Sequence, residues 1–141
     1  LPSDQVRYGD WKRNFPDGEV LSKETGAIRF YGSSPYGDYF SAPDFAISLA
    51  GGGDKRLAPD DFIFGIVVDG KVKAYRIESV KDKGEVQDIF QGQTVILRHD
   101  KGLDVVRIFK KLPDGTEERI NPFSSFWFSW SAVHPETELY K

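Results

Sequence analysis

The chain lacks cysteine and methionine altogether. Without cysteine there is no disulfide, no thiolate zinc or iron–sulfur site and no cysteine nucleophile. We also expect no other cofactor. A chain with neither of the readily oxidised sulfur residues suits an oxidising compartment, so we expect an extracytoplasmic location, which includes the periplasm, the cell surface and secretion.

Positive charge and long apolar runs are also scarce. The net charge is -3 and no basic block occurs, which argues against nucleic acid or an anionic membrane as a partner. No stretch approaches the roughly 20 apolar residues that cross a bilayer. The first four residues, L-P-S-D, carry no basic and apolar signal region, so we interpret the chain as a mature or trimmed product.

Length permits one domain with its own core, so we assign residues 1–141 to a single domain, either complete or the C-terminal half of a longer protein. Residues 32–58 are rich in glycine, proline and serine. They predict a long irregular loop with one short apolar element at residues 45–49.

The chain does contain an internal repeat. Residues 11–21 read W-K-R-N-F-P-D-G-E-V-L and residues 130–140 read W-S-A-V-H-P-E-T-E-L-Y. In both copies a tryptophan stands five residues before a proline, which is followed by an acid, a variable residue and a glutamate. Because proline restricts the residue before it, each copy predicts a short helix that ends at the proline and gives way to a strand.

The clearest local pattern is a β-hairpin. Asp69-Gly70 is a preferred centre for a tight type I′ turn, and β-branched and aromatic residues flank it on both sides. The first arm, residues 62–68, is apolar throughout and predicts a strand buried on both faces. The second arm, residues 71–77, alternates and predicts a strand with one wet face.

Weaker patterns complete the chain. They predict strands at residues 27–31, 94–98, 103–110 and 116–120, a helical turn at 78–83 stopped by Gly84, and a helix within 124–133 that serines could cap. The fold class is therefore α+β, mainly antiparallel β: a meander of about five to seven short strands, with two or three short helices packed on it by Trp11 and Trp127/Trp130. The predicted core is Trp11, Val20, Ile28, Phe62, Phe64, Ile66, Val68, Tyr75, Ile77, Val95, Leu97, Val106, Ile108, Trp127 and Trp130.

Candidate binding residues lie on the long loop. Rigid aromatic rings beside small polar residues make good recognition surfaces for peptides, glycans or another subunit. The alternative is that the rings fold inward and hold the loop on the sheet. The candidate binding residues are Tyr31, Tyr36, Asp38, Tyr39 and Phe40.

Two histidines offer a second polar site. His99 is adjacent to Asp100, and His134 precedes Glu136 by two positions, so either could serve acid–base or metal chemistry if partners converge in space. The repeat favours packing for His134, because Phe15 holds the equivalent position. We predict no metal site, since the acidic clusters lack the spacing of a calcium loop.

Three ordered motifs resemble a known family: Y-G-x-x-P-Y-G-D-Y-F at 31–40, F-G-I-V-V-D-G-K-V-K-A-Y at 64–75 and F-W-F-S-W-S-A-V-H-P-E-T-E-L-Y at 126–140. With the W-x4-P-D-G-E-V-L-S-K-E-T-G stretch, they make nearly the whole chain similar to the C-terminal part of the prokaryotic domain of unknown function 3179 family. That resemblance implies an uncharacterised, often exported or membrane-associated protein with no established reaction. A C-P-L-C-G motif upstream in the family has no counterpart here.

Two functional hypotheses follow. The first is a non-enzymatic extracytoplasmic binding or assembly module whose partners are other protein chains, a second copy among them; short strands with unpaired edges suit association by strand addition. The second is an enzyme or metal-binding domain that uses His99, His134 and nearby acids. A third interpretation is a fragment whose chemistry lies upstream.

Overall fold

The computed structural model of the chain describes residues 2–24, 26 and 54–141. The predicted strand at 27–31, the element at 45–49 and Ile28 lie outside these residues. The described elements, in chain order, are α1 (Tyr8–Asn14), β1 (Phe62–Val68), β2 (Lys71–Arg76), α2 (Ile77–Lys83), β3 (Glu85–Phe90), β4 (Gln93–Asp100), β5 (Val105–Lys111), β6 (Glu117–Ile120), β7 (Phe123–Phe126), α3 (Trp127–Val133) and β8 (Glu138–Tyr140).

The strands form two four-stranded sheets, sheet A in the order β7-β1-β2-β8 and sheet B in the order β3-β4-β5-β6. All pairings are antiparallel except that of β2 with β8. The α+β, mainly antiparallel class is therefore confirmed. One face of sheet A packs against sheet B and α2 around a common core of Ile66, Tyr75, Ile77, Val80, Val86, Phe90, Val95, Leu97, Val106 and Ile108.

The hairpin forms as the sequence predicts. Val68 pairs with Lys71 across the turn, and Asp69 and Gly70 have φ values of 49° and 73°. Both values lie in the left-handed region that a type I′ turn requires. The turn is local chemistry, so the sequence alone could place it.

Burial along the hairpin differs from the expectation. Lys73, predicted to lie on a wet face of β2, is only 9% exposed, whereas Val67 on the apolar arm is 49% exposed. The reason is position in the sheet, because β2 lies between β1 and β8 and is covered on both faces. Alternation of polar and apolar residues therefore did not mean one wet face.

The helical turn after the hairpin is also confirmed as α2. It buries Ile77 and Val80, and Gly84 follows it with φ 80° while its N–H donates to the carbonyl of Val80 at 2.8 Å. A positive φ just past the last turn favours glycine, and this glycine ends the helix as the sequence predicts.

Strands β3 and β7 were not predicted, whereas β8 is the strand that the second repeat copy predicts after its proline. The described residues hold eight strands where the sequence suggested about five to seven. Ser124 and Ser125 lie in β7 and do not cap the helix. Phe126 is the N-cap residue of α3 and makes no side-chain capping bond. The serines pair with β1 instead, opposite Phe64 and Ile63.

The two repeat copies share their local structure. Both helices have seven residues, and the N–H of the residue before each proline donates to the carbonyl of the tryptophan, from Phe15 at 2.8 Å and from His134 at 2.9 Å. Three residues further on, the N–H groups of Gly18 and Thr137 return to those residues' carbonyls, each at 3.0 Å. The internal repeat is thus a structural repeat.

The copies differ in what lies beneath them. Helix α3 packs on the outer face of sheet A with Trp127 at 0% and Trp130 at 5% exposure, whereas α1 buries no residue. The predicted core positions Trp11, Val20 and Phe62 are wrong: Trp11 is half-buried, Val20 is 60% exposed, and Phe62 at the start of β1 is 39% exposed. The sequence patterns match, but only the second copy lies on a described sheet.

Candidate functional site

A cleft of about 330 Å³ opens at one end of the sandwich, where β1 and β7 of sheet A face β5 and β6 of sheet B. Apolar residues from the two sheets and α2 form its walls, and charged groups lie at its rim. The lining residues are Ser3, Asp4, Gln5, Phe62, Phe64, Ile77, Lys81, Asp104, Val105, Val106, Arg107, Ile108, Arg119, Ile120, Asn121, Pro122 and Ser124.

Two arginines from neighbouring strands of sheet B hold one carboxylate in this cleft. The Asp4 carboxylate accepts hydrogen bonds from Arg107, whose Nε and Nη2 are both 2.9 Å away, and from Arg119. Arg119 also donates to the carbonyl of Ser3 at 3.1 Å. Guanidinium groups form strong, directional pairs with carboxylates, so this is an acid-binding subsite that the chain fills itself.

Asp104 is the centre of a second charged cluster. Its carboxylate lies 2.9 Å from Lys81 Nζ, 2.6 Å from Arg7 Nη2 and 3.0 Å from His99 Nε2. Hydrogen bonds from Lys81, Arg7 and His99 hold the pKa of Asp104 well below its ordinary value. The residue also has φ 52°, a conformation that aspartate tolerates better than most non-glycine residues.

His99 is part of this cluster, but its partner is not the predicted one. Successive strand residues point to opposite faces, so His99 turns inward while Asp100 caps the turn by accepting the N–H groups of Gly102 and Leu103. The Nδ1 atom of His99 is buried without a partner within the described residues. The ring therefore does not offer this second nitrogen to a ligand at the surface.

His134 lies elsewhere. Its ring centroid is 4.2 Å from that of Trp130 on the outer face of sheet A, where packing was the favoured interpretation. Sheet A separates it from His99, so the structure does not bring the two histidines together. Glu136 is exposed. Within the described ranges, no group of three or more acidic or histidine side chains is placed to hold a metal ion.

The first-choice binding residues are not described. Tyr31, Tyr36, Asp38, Tyr39 and Phe40 all fall within residues 27–53, outside the part of the chain that the structure describes. The candidate recognition surface on the long loop therefore stays a prediction, and so does the alternative that its rings hold the loop on the sheet. The end of that loop, residues 54–58, contains no helix or strand.

The sequence also missed a buried polar network between the sheets. Lys73 Nζ lies 2.7 Å from the Asp88 carboxylate, which also accepts the Tyr75 hydroxyl at 2.9 Å. Glu138 adds a longer contact to Lys73 at 3.5 Å. Burial, followed by the hydrogen bond to Asp88, raises the pKa of Tyr75. The Lys-x-Tyr spacing places both side chains on one strand face, but Asp88 comes from the other sheet.

The charged residues of the cleft carry no local signal either. Asp4 and Arg107 are 103 positions apart in the chain, and Arg7 and Asp104 are 97 apart. Neither pair belongs to a motif or a periodic pattern. Only the docking of the N-terminal segment against sheet B brings them together.

Comparison with known proteins bears on identity more than on chemistry. None of the described helices has the length and apolar character needed to span a membrane. No curated protein and no solved structure matches the chain. The model of one family, described as a protein of unknown function (DUF3179), matches residues 1–120. This match covers most of the chain and includes the motifs at 31–40 and 64–75, so the chain belongs to the DUF3179 family.

Proposed function

We propose that the chain is a non-enzymatic binding or assembly module that associates with a second copy of itself through its first repeat copy, residues 11–21. The contrast between the copies carries the proposal. Residues 138–140 form a strand in sheet A, whereas the equivalent residues 19–21 have no strand assignment. Val20 is 60% and Leu21 99% exposed. An exposed apolar segment outside the described strands favours addition to a sheet edge.

The second repeat copy, residues 130–140, shows which surface a repeat copy packs against. Its strand β8 runs parallel to β2, with Lys73 opposite Glu138 and Tyr75 opposite Tyr140. Its helix covers Gly65 of β1 with the Trp130 ring. The first repeat copy has the same Trp-to-Glu spacing, and each molecule of the chain contains the β1–β2 hairpin. A second molecule of the chain therefore offers a surface that the first repeat copy can bind.

Such an exchange is heterologous, because the first repeat copy of one chain would occupy the hairpin of the next. It competes with β8, which is tethered beside β2 and thus has a large effective concentration. We therefore expect association to be weak at micromolar concentration and to rise steeply when β8 is weakened. Extracytoplasmic location remains part of the proposal, supported by the absence of both sulfur residues.

Light scattering after size exclusion tests the proposal over a wide range of protein concentration. Leu139→Pro should weaken β8 by removing a strand N–H, and we expect the average mass to rise. Adding Leu21→Asp to that variant should restore the monomer. Val133→Asp is the matched control, since Val133 is 70% exposed at the end of α3. It should leave association unchanged.

The proposal fails if the Leu139→Pro variant keeps its sheet content by circular dichroism and stays monomeric at all concentrations. If an N-terminal extension of the same polypeptide instead protects residues 19–21 from hydrogen exchange, the first copy serves intrachain packing. The enzyme or metal-binding alternative with His99, His134 and Glu136 ranks lower, because sheet A lies between the two histidines.

A further inference from the structure

The segment in the cleft presents features that another acidic peptide would share. Arg107 and Arg119 bind the side chain of Asp4, and Arg119 also binds the backbone carbonyl of Ser3. A carboxylate together with the preceding carbonyl is a peptide signature, which a free acid or an inorganic anion does not reproduce. The side-chain and main-chain contacts come from one arginine pair on β5 and β6.

The arginines depend on the acids that they hold. Their side chains are 25% and 27% exposed, so both are partly withdrawn from water. Burial opposes the charge of Arg107, but the hydrogen bonds that it donates to Asp4 and Asp100 outweigh the effect of burial and raise its pKa. Without Asp4, Arg107 would keep Asp100, whereas Arg119 would lose its carboxylate within the described contacts. The subsite would then attract an anion.

The cleft also has room beside the acid. Its volume of about 330 Å³ lies between apolar walls that include Phe62, Phe64, Val106 and Ile108. Gln5, the next residue of the segment after Asp4, also lines the cleft. Pockets with apolar walls and a few convergent polar groups are typical ligand sites. An apolar side chain next to the acid is the kind of group that such walls bind.

We propose that this cleft binds an acidic peptide segment of another protein, an aspartate followed by an apolar residue, and that residues 3–5 of the chain occupy the same subsite in its absence. This site is separate from the exposed first repeat copy, so either proposal can fail alone.

Residues 2–5 of the chain are weakly held in the cleft, so a competing peptide can displace them. Residues 2–7 have no helix or strand, and residues 2–5 are exposed as whole residues. Within the described part of the chain, the polar anchors of residues 2–5 are the contacts of Ser3 and Asp4 with the two arginines. A tethered competitor acts at an effective concentration of roughly millimolar. A peptide added in trans should therefore bind about tenfold more tightly once Asp4 is neutralised.

The test is calorimetric titration with the blocked peptide L-P-S-D-F-V-R, which is residues 1–7 with phenylalanine in place of Gln5. We expect it to bind the full-length Asp4→Ala variant about tenfold more tightly than the unchanged chain. A peptide with asparagine in place of Asp4 should bind at least about tenfold more weakly, because it loses the charged pair. Asp4→Asn serves as a second chain variant if Asp4→Ala unfolds.

Three results would overturn the proposal. Equal affinity for the unchanged and neutralised chains would mean that Asp4 and the peptide do not compete. Persistent binding after Arg107→Gln and Arg119→Gln, introduced together into the Asp4→Ala chain, would place the peptide elsewhere. Displacement of the peptide by an equal concentration of acetate would show a general carboxylate subsite without peptide recognition.

Discussion

The ring of Trp130 lies against the backbone of Gly65, so closely that a β-carbon at position 65 would come within 2.3 Å of a ring atom. The first copy shows a related contact, in which the Trp11 ring lies 2.5 Å from the place of a β-carbon on Gly18. Trp130 thus covers a strand of the sheet, whereas Trp11 folds back on its own turn.

The contact at Gly65 predicts a strong intolerance of side chains. Gly65→Ala should lower the free energy of unfolding by about 3 kcal/mol, because the new β-carbon would force the buried Trp130 ring to shift. Gly9→Ala is the matched control: its β-carbon would meet its nearest neighbour at 3.8 Å within α1, and alanine favours helix. Urea unfolding measures both, and equal midpoints for the two variants would contradict the close packing of Trp130 on Gly65.

The two repeat tryptophans should differ in energetic weight. Trp130→Ala removes a ring that is 5% exposed and whose Nε1–H donates to the Thr137 hydroxyl at 3.0 Å. We expect a loss of about 3–5 kcal/mol. Trp11→Ala, in a helix that buries no residue, should cost about 1 kcal/mol or less. Urea unfolding followed by circular dichroism tests this, and comparable losses would mean that the first copy is part of the core.

The Lys73 network predicts an asymmetric response to mutation. Asp88→Ala would leave the Lys73 ammonium buried and the Tyr75 hydroxyl without its acceptor, at a cost of about 3–5 kcal/mol. Replacing both buried partners, Lys73→Met with Asp88→Leu, should cost less, since no buried charge then remains uncompensated. Glu138, which also contacts Lys73, has a side chain that is 56% exposed.

A surface pair provides the control for that cycle. Lys110 and Glu118 are 2.7 Å apart, with side chains 29% and 54% exposed. Glu118→Ala should change the free energy of unfolding by no more than about 1 kcal/mol. Equal effects of Asp88→Ala and Glu118→Ala in urea unfolding would refute the buried network.

Acid should weaken the protein partly through Asp104. Its pKa is lowered in the folded state, so its contribution is present above the ordinary aspartate pKa of about 3.9 and is lost as pH falls through the folded value. Asp104→Asn keeps the left-handed backbone accessible and should cost about 1 kcal/mol at pH 7 after solvent screening. The difference from the unchanged chain should shrink toward pH 2.

Urea midpoints between pH 7 and pH 2 test this prediction. Asp69→Asn is a suitable control, because Asp69 has φ 49° in the hairpin turn and lies outside the Asp104 cluster. This variant shows what a change from Asp to Asn outside the cluster does over the same pH range. A profile of Asp104→Asn that runs parallel to that of the unchanged chain would show that the ion pairs around Asp104 do not stabilise the fold.

Local chemistry accounts for the elements that sequence analysis placed correctly. Asp69-Gly70 favours one turn type and Gly84 ends a helix. A proline also stands after each short tryptophan-bearing helix, with one residue between them. Each signal acts within a few residues and is not changed by the rest of the fold. The internal repeat consists of such short-range signals, so it could be recognised from the sequence.

The pairing of strands and the composition of the sites depend on contacts between residues far apart in the chain. Asp88 lies in β3 of one sheet and pairs with Lys73 on β2 of the other, so no local pattern joins the two residues. His99 was expected beside Asp100, and its partner is Asp104 because side chains alternate along a strand. The Asp4 subsite joins residues more than 100 positions apart. No periodicity encodes such pairs.

The sequence by itself determined the class of the fold, the hairpin, the repeat and the exclusion of all sulfur chemistry, since composition and short-range backbone preferences are enough for these. The tertiary structure alone decided which repeat copy is buried, because burial depends on whether a sheet lies beneath the tryptophan. It also decided where charge gathers. Arg107, Arg119 and Asp4 meet only after two sheets have packed and the N-terminal segment has crossed their open end.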